Sequence, residues 1–550
     1  MKKKIALLLI LFQILASLTC TFASNKIVIL EDIDNHWIAS QHKETLYLLQ
    51  HLGIIKGYED NSFRPQNQVS RQEFTTMLIK TLEPDLQDFS EIATFDDVNT
   101  NSWSFPYISK AIEKNIIIPE EYEDLKFQPE KPITRLEIAI MIIRGLGVDI
   151  NSQDIIVNTN FLDDSKIPNE AKVYIEKAVE KGIIKGYREE EGFFFKPNNT
   201  ATRAEAIVMI YGVLKEKGDL KQAGYYALQS FSQAKAQPLE NIFNEIVFGW
   251  SALDKLEDGS IIFSMDSPSE YKRPIGYEEA LALVDNSSLK KKLMLTETKT
   301  SLIYPLLENK KDQQRLIEDI IKALNDHDFS GIVMDLENIR DLDRGYRALY
   351  VEFLKELKEN LKPKNFTLTV MVQPNNVIGY YDGYDYKKIS EIADEINIMA
   401  HDYHERNNFN VLTDHAPLPL VKEALTNILN EGVDPNKVIL GLQVSAGTQW
   451  VSSFKDDNKL VEFFTPNMQN IYKAIGERDG RRVFDYQAMV PTFQYNINEE
   501  GKESQRLIRY EDEKSMESKL LLAKYYGIKG ISIWRIGEIQ DDVIDLLKKH

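Results

Sequence analysis

Phe329-Ser330-Gly331-Ile332-Val333-Met334-Asp335-Leu336-Glu337-Asn338 is an almost unbroken apolar run that ends in two carboxylates two positions apart. Such a run reads as a strand buried on both faces, and side chains two apart on a strand share a side. Asp335 and Glu337 therefore project together from the end of a buried strand. Spacing alone leaves a structural ion pair or a helix N-cap open beside a chemical role.

Similar short runs recur on either side of this one: Ile242 to Trp250, Lys292 to Thr296, Thr367 to Val372, Glu395 to Ala400, Val438 to Gln443 and Gly530 to Trp534. Amphipathic stretches such as Gln313 to Asn325, Arg344 to Leu361 and Glu513 to Tyr526 lie between them, with the spacing of helices. Strand and helix alternating over residues 223–550 call for a parallel sheet, and a closed α/β (β/α)8 TIM barrel is the usual answer at this size. In that fold chemistry sits where strands end, so polar residues there are the candidates.

The charged, glycine-containing stretch Lys215 to Lys221 separates this region from an earlier one built of three repeats. The first copy (28–85) runs from Asp32 and Trp37 through Leu52-Gly53-Ile54-Ile55-Lys56-Gly57-Tyr58 and Phe63-Arg64-Pro65 to Ser70-Arg71-Gln72-Glu73-Phe74. The second (92–150) has Phe95-Asp96-Asp97, Trp103, Phe127-Gln128-Pro129 and Thr134-Arg135-Leu136-Glu137. The third (158–216) has Asp163, Lys185-Gly186-Tyr187, Phe195-Lys196-Pro197 and Thr202-Arg203-Ala204-Glu205. Each copy reads as helix, loop, helix, and each second helix opens with Ser or Thr three residues before Glu, a capping box. Capping explains Glu73, Glu137 and Glu205 but does not require Arg71, Arg135 and Arg203, whose planar guanidinium suits a carboxylate.

The N-terminus places Lys2, Lys3 and Lys4 before an apolar run from Ile5 to Leu18 and small residues at Ala23 and Ser24, the order of a signal peptide over 1–23. The run is shorter than a bilayer span, so no stable membrane anchor is expected. Cys20 is the single cysteine, so a chain cleaved after it has no disulfide to rely on. With 43% hydrophobic and 27% charged residues the composition is that of a folded, multi-domain chain. A formal charge of −19, or −22 without the three leading lysines, argues against nucleic-acid binding.

The repeats resemble S-layer homology domains, which are all-α, come in threes and attach exported proteins to secondary polysaccharides of the bacterial cell wall. The resemblance implies a protein secreted to the cell surface and a wall-polysaccharide partner met by Arg71, Arg135, Arg203, Trp37 and Trp103. The third copy has no tryptophan to match Trp37 and Trp103, and the second has Ile118-Pro119 in place of Gly-Tyr.

Asp335-Leu336-Glu337 resembles the end of the glycoside hydrolase family 18 signature, Asp-x-x-Asp-x-Asp-x-Glu. Met399-Ala400-His401-Asp402 resembles that family's later Met-x-Tyr-Asp segment, and Gly530 to Arg535 its final strand. Ala416-Pro417-Leu418-Pro419, Ile439-Leu440-Gly441-Leu442 and Pro491-Thr492-Phe493-Gln494-Tyr495 look most like the branch that includes spore peptidoglycan glucosaminidases. The resemblance implies substrate-assisted, retaining cleavage of β-linked N-acetylglucosamine polymers. Glu337 is then the acid, Asp335 the group that orients the acetamide, and Asp402 and His401 further catalytic residues. Trp534, Trp450, Tyr403 and Gln373 are implied at the substrate, with His404 a softer candidate. A chitinase, or a catalytically silent glycan-binding barrel, is the rival reading. Ser330 and Val333 replace the first two signature aspartates, so Asp335 is expected to stay ionised, and His401 in place of tyrosine makes its hydrogen bond depend on pH. No zinc-type spacing and no phosphate-cradling glycine loop occurs, so no metal or other cofactor is implied.

Overall fold

Apolar residues on both faces of most barrel strands require both faces of the sheet to be covered, which a closed sheet wrapped in helices achieves. The computed structural model describes residues 27–84, 95–150, 158–228, 234–285, 287–341, 344–377, 382–403, 414–453, 459–499 and 502–550. The expected signal peptide and His404 lie outside the described residues. The chain divides into two units, Asn25–Gly218 and Asp219–Ala523 with Gly527–His550.

In the first unit the three second-position helices are Arg71–Leu82, Arg135–Gly145 and Arg203–Lys215, and each begins with the full capping box its sequence announces. A second device recurs in all three repeats. Asp32 accepts the backbone N–H groups of Phe63 and Arg64, Asp97 those of Phe127 and Gln128, and Asp163 those of Phe195 and Lys196. Arg64, Gln128 and Lys196 all have positive φ, a backbone form that costs a side-chain-bearing residue energy, and the two-pronged carboxylate offsets it.

The helix-opening arginines link the repeats in a ring. Arg71 donates to the Phe127 carbonyl at 2.6 Å and to Glu137. Arg135 donates to the carbonyls of Phe195 and Lys185 at 3.0 and 2.8 Å. Arg203 closes the ring on the carbonyls of Phe63 and Lys56 at 3.0 and 3.3 Å. These guanidinium groups therefore join each repeat to the next, a role the sequence reading had not assigned them.

In the second unit eight parallel strands close on themselves: β1 (Lys221–Tyr226), β2 (Glu245–Lys255), β3 (Lys290–Glu297), β4 (Gly331–Leu336), β5 (Thr367–Val372), β6 (Glu395–Met399), β7 (Val438–Gln443) and β8 (Gly530–Trp534). β1 pairs with both β8 and β2, which removes the sheet edges. Tyr225, Val247, Met294, Val333, Met371 and Met399, one from each of six strands, fill the lumen. Since Val333 faces inward, Asp335 two residues later does so too. Beneath this layer Lys292 is held by Glu245 and Glu395, at 3.2 and 2.9 Å, and by the Thr369 hydroxyl at 3.0 Å.

Between β7 and β8 the chain makes an antiparallel sheet of five strands, in the order Lys459–Phe464, Thr448–Ser453, Lys502–Arg509, Val490–Glu499, Gly480–Asp485. The helix Met468–Glu477 packs on one face through Met468 and Ile471 against Phe493, Tyr495, Ile508 and Tyr510. On the other face Arg509 joins Asp414, at 2.5 Å, and Asp485, at 2.8 Å. Asp414 lies on the segment that follows β6, so this triad ties the inserted sheet to the loops above the barrel.

Candidate active site

β4 ends by handing over its register to a set of polar clamps. The Glu337 N–H donates to the Glu297 carbonyl at 2.8 Å, and the Tyr384 hydroxyl donates to the Leu336 carbonyl at 2.8 Å. Asn338, with φ +63, donates its N–H to Gln373 Oε1 at 3.2 Å, while Gln373 Nε2 donates to Glu337 Oε2 at 3.3 Å. Gln373 is itself held by the Tyr386 hydroxyl, which donates to its carbonyl at 2.6 Å. Gln373 thus holds the Glu337 carboxyl and the backbone of the next residue, a positioning task beside the substrate contact expected of it.

Asp335 is 5% exposed, directly opposite Thr296 on β3, and its Oδ1 has no hydrogen-bond partner among the described residues. Burial pushes its carboxyl well above the usual carboxylate range, with the Thr296 hydroxyl offsetting a small part. Glu337 is raised as well, first by burial and then by the charge of Asp335, while His401 pulls in the opposite direction. Burial therefore opposes the ionised Asp335 that the sequence leads one to expect. Loss of the inner signature aspartate to Val333 leaves an apolar wall at its side, and that wall disfavours the charge as a second carboxylate would. Burial thus works against the charged form of both carboxyls.

After β6 the chain turns sharply at Asp402, which has φ +61. His401 Nδ1 lies 2.9 Å from Asp402 Oδ2, and His415 packs edge-on to His401 with ring centroids 6.1 Å apart. Tyr403 is 5% exposed, with its hydroxyl 3.3 Å from both Asn376 Oδ1 and the Leu420 carbonyl. It braces the turn from below, in place of the substrate contact expected for it. Trp534, at the end of β8, is partly exposed and leans on Tyr225 and Tyr271, with centroids at 5.9 and 6.3 Å. The bond from Trp534 to Arg535 is cis.

Trp450 departs from its expectation in a similar way. It is 1% exposed in strand Thr448–Ser453 of the inserted sheet, on the face Arg509 uses, with Phe463 edge-on at 5.2 Å. Its indole is a core side chain without an open face for a sugar.

Two residues of the site are not legible in the sequence. Tyr271 lies close enough to Asp335 and Glu337 that burial and their charge together raise its hydroxyl. His415 sits against Asp402. Both are on irregular segments, where no periodicity marks an inward-facing position, and only three-dimensional proximity reveals them. No cluster of His, Cys, Asp and Glu suited to a metal ion occurs among the described residues.

A closed parallel barrel with two buried carboxyls and a tryptophan at the carboxyl ends of its strands has the architecture of a barrel glycosidase. The chain belongs to glycosyl hydrolases family 18, which residues 221–538 match. Residues 31–75, 94–139 and 160–207 match the S-layer homology domain, so the family assignment comes with cell-surface anchoring domains. Among curated relatives, the exoglucanase XynX of Acetivibrio thermocellus is 31% identical over 196 residues, 36% of this chain and 17% of that protein. A cortical fragment-lytic enzyme of Bacillus anthracis is 28% identical over 234 residues, 41% of this chain and 50% of that one. The chain thus spans half or less of these relatives. The spore cortex-lytic enzyme SleL of Bacillus cereus shares the fold with a TM-score of 0.50 at 20% identity, over 65% of this chain and 76% of that structure. No helix among the described residues is long and apolar enough to cross a membrane.

Proposed function

We propose that this protein is an exported, wall-anchored glycosidase that cleaves β-linked N-acetylglucosamine polymers, peptidoglycan foremost, by substrate-assisted catalysis with retention. The observation that carries the reading is the pair Asp335 and Glu337, side by side at the barrel mouth and both raised above the ordinary carboxylate range. Glu337 protonates the departing glycosidic oxygen, a task that needs a proton held near neutral pH. The substrate's own 2-acetamido oxygen attacks the anomeric carbon, and the bond to the leaving sugar breaks as an oxazolinium forms. Asp335 orients the acetamide and offsets the positive charge that develops on it. Glu337 then takes a proton from the water that opens the ring. His401, oriented by Asp402, faces the acetamide where the family has a tyrosine, and Trp534 supplies an aromatic face on which a sugar ring stacks.

The choice of peptidoglycan over chitin draws on the relative that is a cortical fragment-lytic enzyme. The S-layer homology domains, with Trp37 and Trp103 exposed at 39% and 57%, hold the chain on the wall polysaccharide and raise its concentration at the substrate. The test is digestion of purified peptidoglycan and of chitin oligomers by the wild type and by Glu337→Gln. The wild type is expected to release reducing ends, peptidoglycan being the better substrate, and the variant to lose about 10²–10⁴-fold of the rate, the usual share of a general acid. Absence of release from both polymers overturns the enzyme, and retention of the polymer without release makes the barrel a lectin.

A further inference from the structure

His415 belongs to none of the motifs that mark this family in the sequence, yet it is 4% exposed and packed against the turn that carries His401 and Asp402. Its Nδ1 lies 3.1 Å from the Asp402 backbone N–H and 3.3 Å from Asp402 Oδ1. The Tyr403 N–H in turn donates to the His415 carbonyl at 3.1 Å, so both ends of the turn rest on this one residue. We propose that His415 is a positioning residue whose protonation state decides how Asp402 is held. The inference rests on the glycosidase reading for its kinetic part only.

The two contacts of Nδ1 exclude each other. A neutral ring with its proton on Nε2 offers the Nδ1 lone pair, which accepts the Asp402 N–H and secures its left-handed backbone. A protonated ring has a donor at Nδ1, which loses that N–H and turns to Asp402 Oδ1. The carboxylate, which meets His401 through its other oxygen at 2.9 Å, then bridges the two rings while the Asp402 N–H loses its acceptor. Among the described residues, several charged groups surround this ring. Asp402 and His401 face it from the turn and Glu337 lies beyond them. Asp414 precedes it and is engaged by Arg509, which also holds Asp485 of the inserted sheet, and Glu423 stands behind Tyr403. Imidazole is the side chain whose unperturbed charge changes near neutrality, so the ring of His415 is the proposed switch.

The experiment compares wild type, His415→Leu and His415→Asn, the asparagine placing an acceptor oxygen where Nδ1 stands without an imidazole to titrate. His415→Leu is expected to lower kcat on chitin oligomers about 10- to 100-fold with KM nearly unchanged, the cost of a misplaced catalytic group. His415→Asn is expected to keep most of kcat at neutral pH and to flatten its fall toward acid. A wild-type pH profile in His415→Asn, or equal loss in both variants, overturns the proposal. If His415→Leu fails to fold by its thermal melt, the asparagine profile alone decides. A readout free of turnover comes from histidine-selective nitrogen-15 NMR of the full chain, which has eight histidines. The neutral His415 ring, assigned by its loss in His415→Asn, is expected to carry its proton on Nε2, and a proton on Nδ1 would falsify the positioning role. A wild type that releases nothing removes the enzymatic reading and leaves this tautomer test standing.

Discussion

Asp335 and Glu337 work against each other's ionisation, and that opposition has consequences for both rate and stability. The charge of Asp335 helps to keep Glu337 protonated, so Asp335→Asn lowers the pH at which Glu337 gives up its proton. The alkaline limb of kcat is expected to move to lower pH in Asp335→Asn, beyond the loss of rate itself; an unmoved limb would mean that Asp335 does not set the acid. The same burial works against folding. A carboxyl raised in the native state binds more protons there than in the unfolded chain between the two pKa values, so stability falls as pH rises through that window. Asp335→Asn is therefore expected to raise Tm at mildly alkaline pH, by about 2–4 °C for each kcal/mol relieved, and to leave it nearly unchanged at acid pH. Thermal melts at the two pH values check this. The sequence makes the pair visible because strand alternation fixes the side on which both carboxylates stand. Their raised affinity for protons is hidden there, because it depends on how completely the lumen around Val333 excludes water.

At the scale of elements, the barrel floor replaces apolar packing with charge. Lys292 is 3% exposed between Glu245 and Glu395, and Lys221 and Lys529 reach Glu395 from the rim at 2.5 and 2.9 Å. Burial alone would raise Glu395, but Lys292 and Lys221 outweigh it and hold the carboxyl well below its usual range. Its contribution to stability is present above the ordinary carboxylate value and fades as pH falls toward the folded one. Lys292→Met leaves two carboxylates buried around an uncharged stem, and a loss of about 3–5 kcal/mol is expected. The shift of the urea midpoint measures it, and a change below about 1 kcal/mol would show that water or the rim lysines take over. Seven of the eight barrel strands are legible as apolar runs. β1 is not, because it begins with Lys221 and Gln222 and follows a charged stretch, so its inward Tyr225 is seen only once β8 and β2 flank it. The inserted sheet is hidden for a related reason. Its strands carry polar residues such as Gln449, Gln494 and Arg506 between apolar ones, a half-exposed pattern that does not resemble a barrel strand.

At the scale of the whole molecule, two tasks are divided between two units, and the anchoring task has to be tested without disabling its scaffold. The ring of Arg71, Arg135 and Arg203 is a poor target, because each guanidinium holds a carbonyl of the next repeat and its removal disturbs the joint as well as any glycan contact. Trp37 and Trp103 are better, since both rings are exposed and neither anchors a core. Stacking of a sugar on each ring is worth about 0.5–1.5 kcal/mol, so the double variant Trp37→Ala, Trp103→Ala is expected to bind cell-wall sacculi roughly ten-fold less tightly. Its release of reducing ends from soluble oligomers should match the wild type, because the barrel is untouched. On intact wall, where effective concentration matters, release should fall in step with binding. Stripping the secondary polysaccharide from the sacculi should bring the wild type down to the level of the variant. Binding that survives both the double substitution and the stripping would place the anchor elsewhere in the chain.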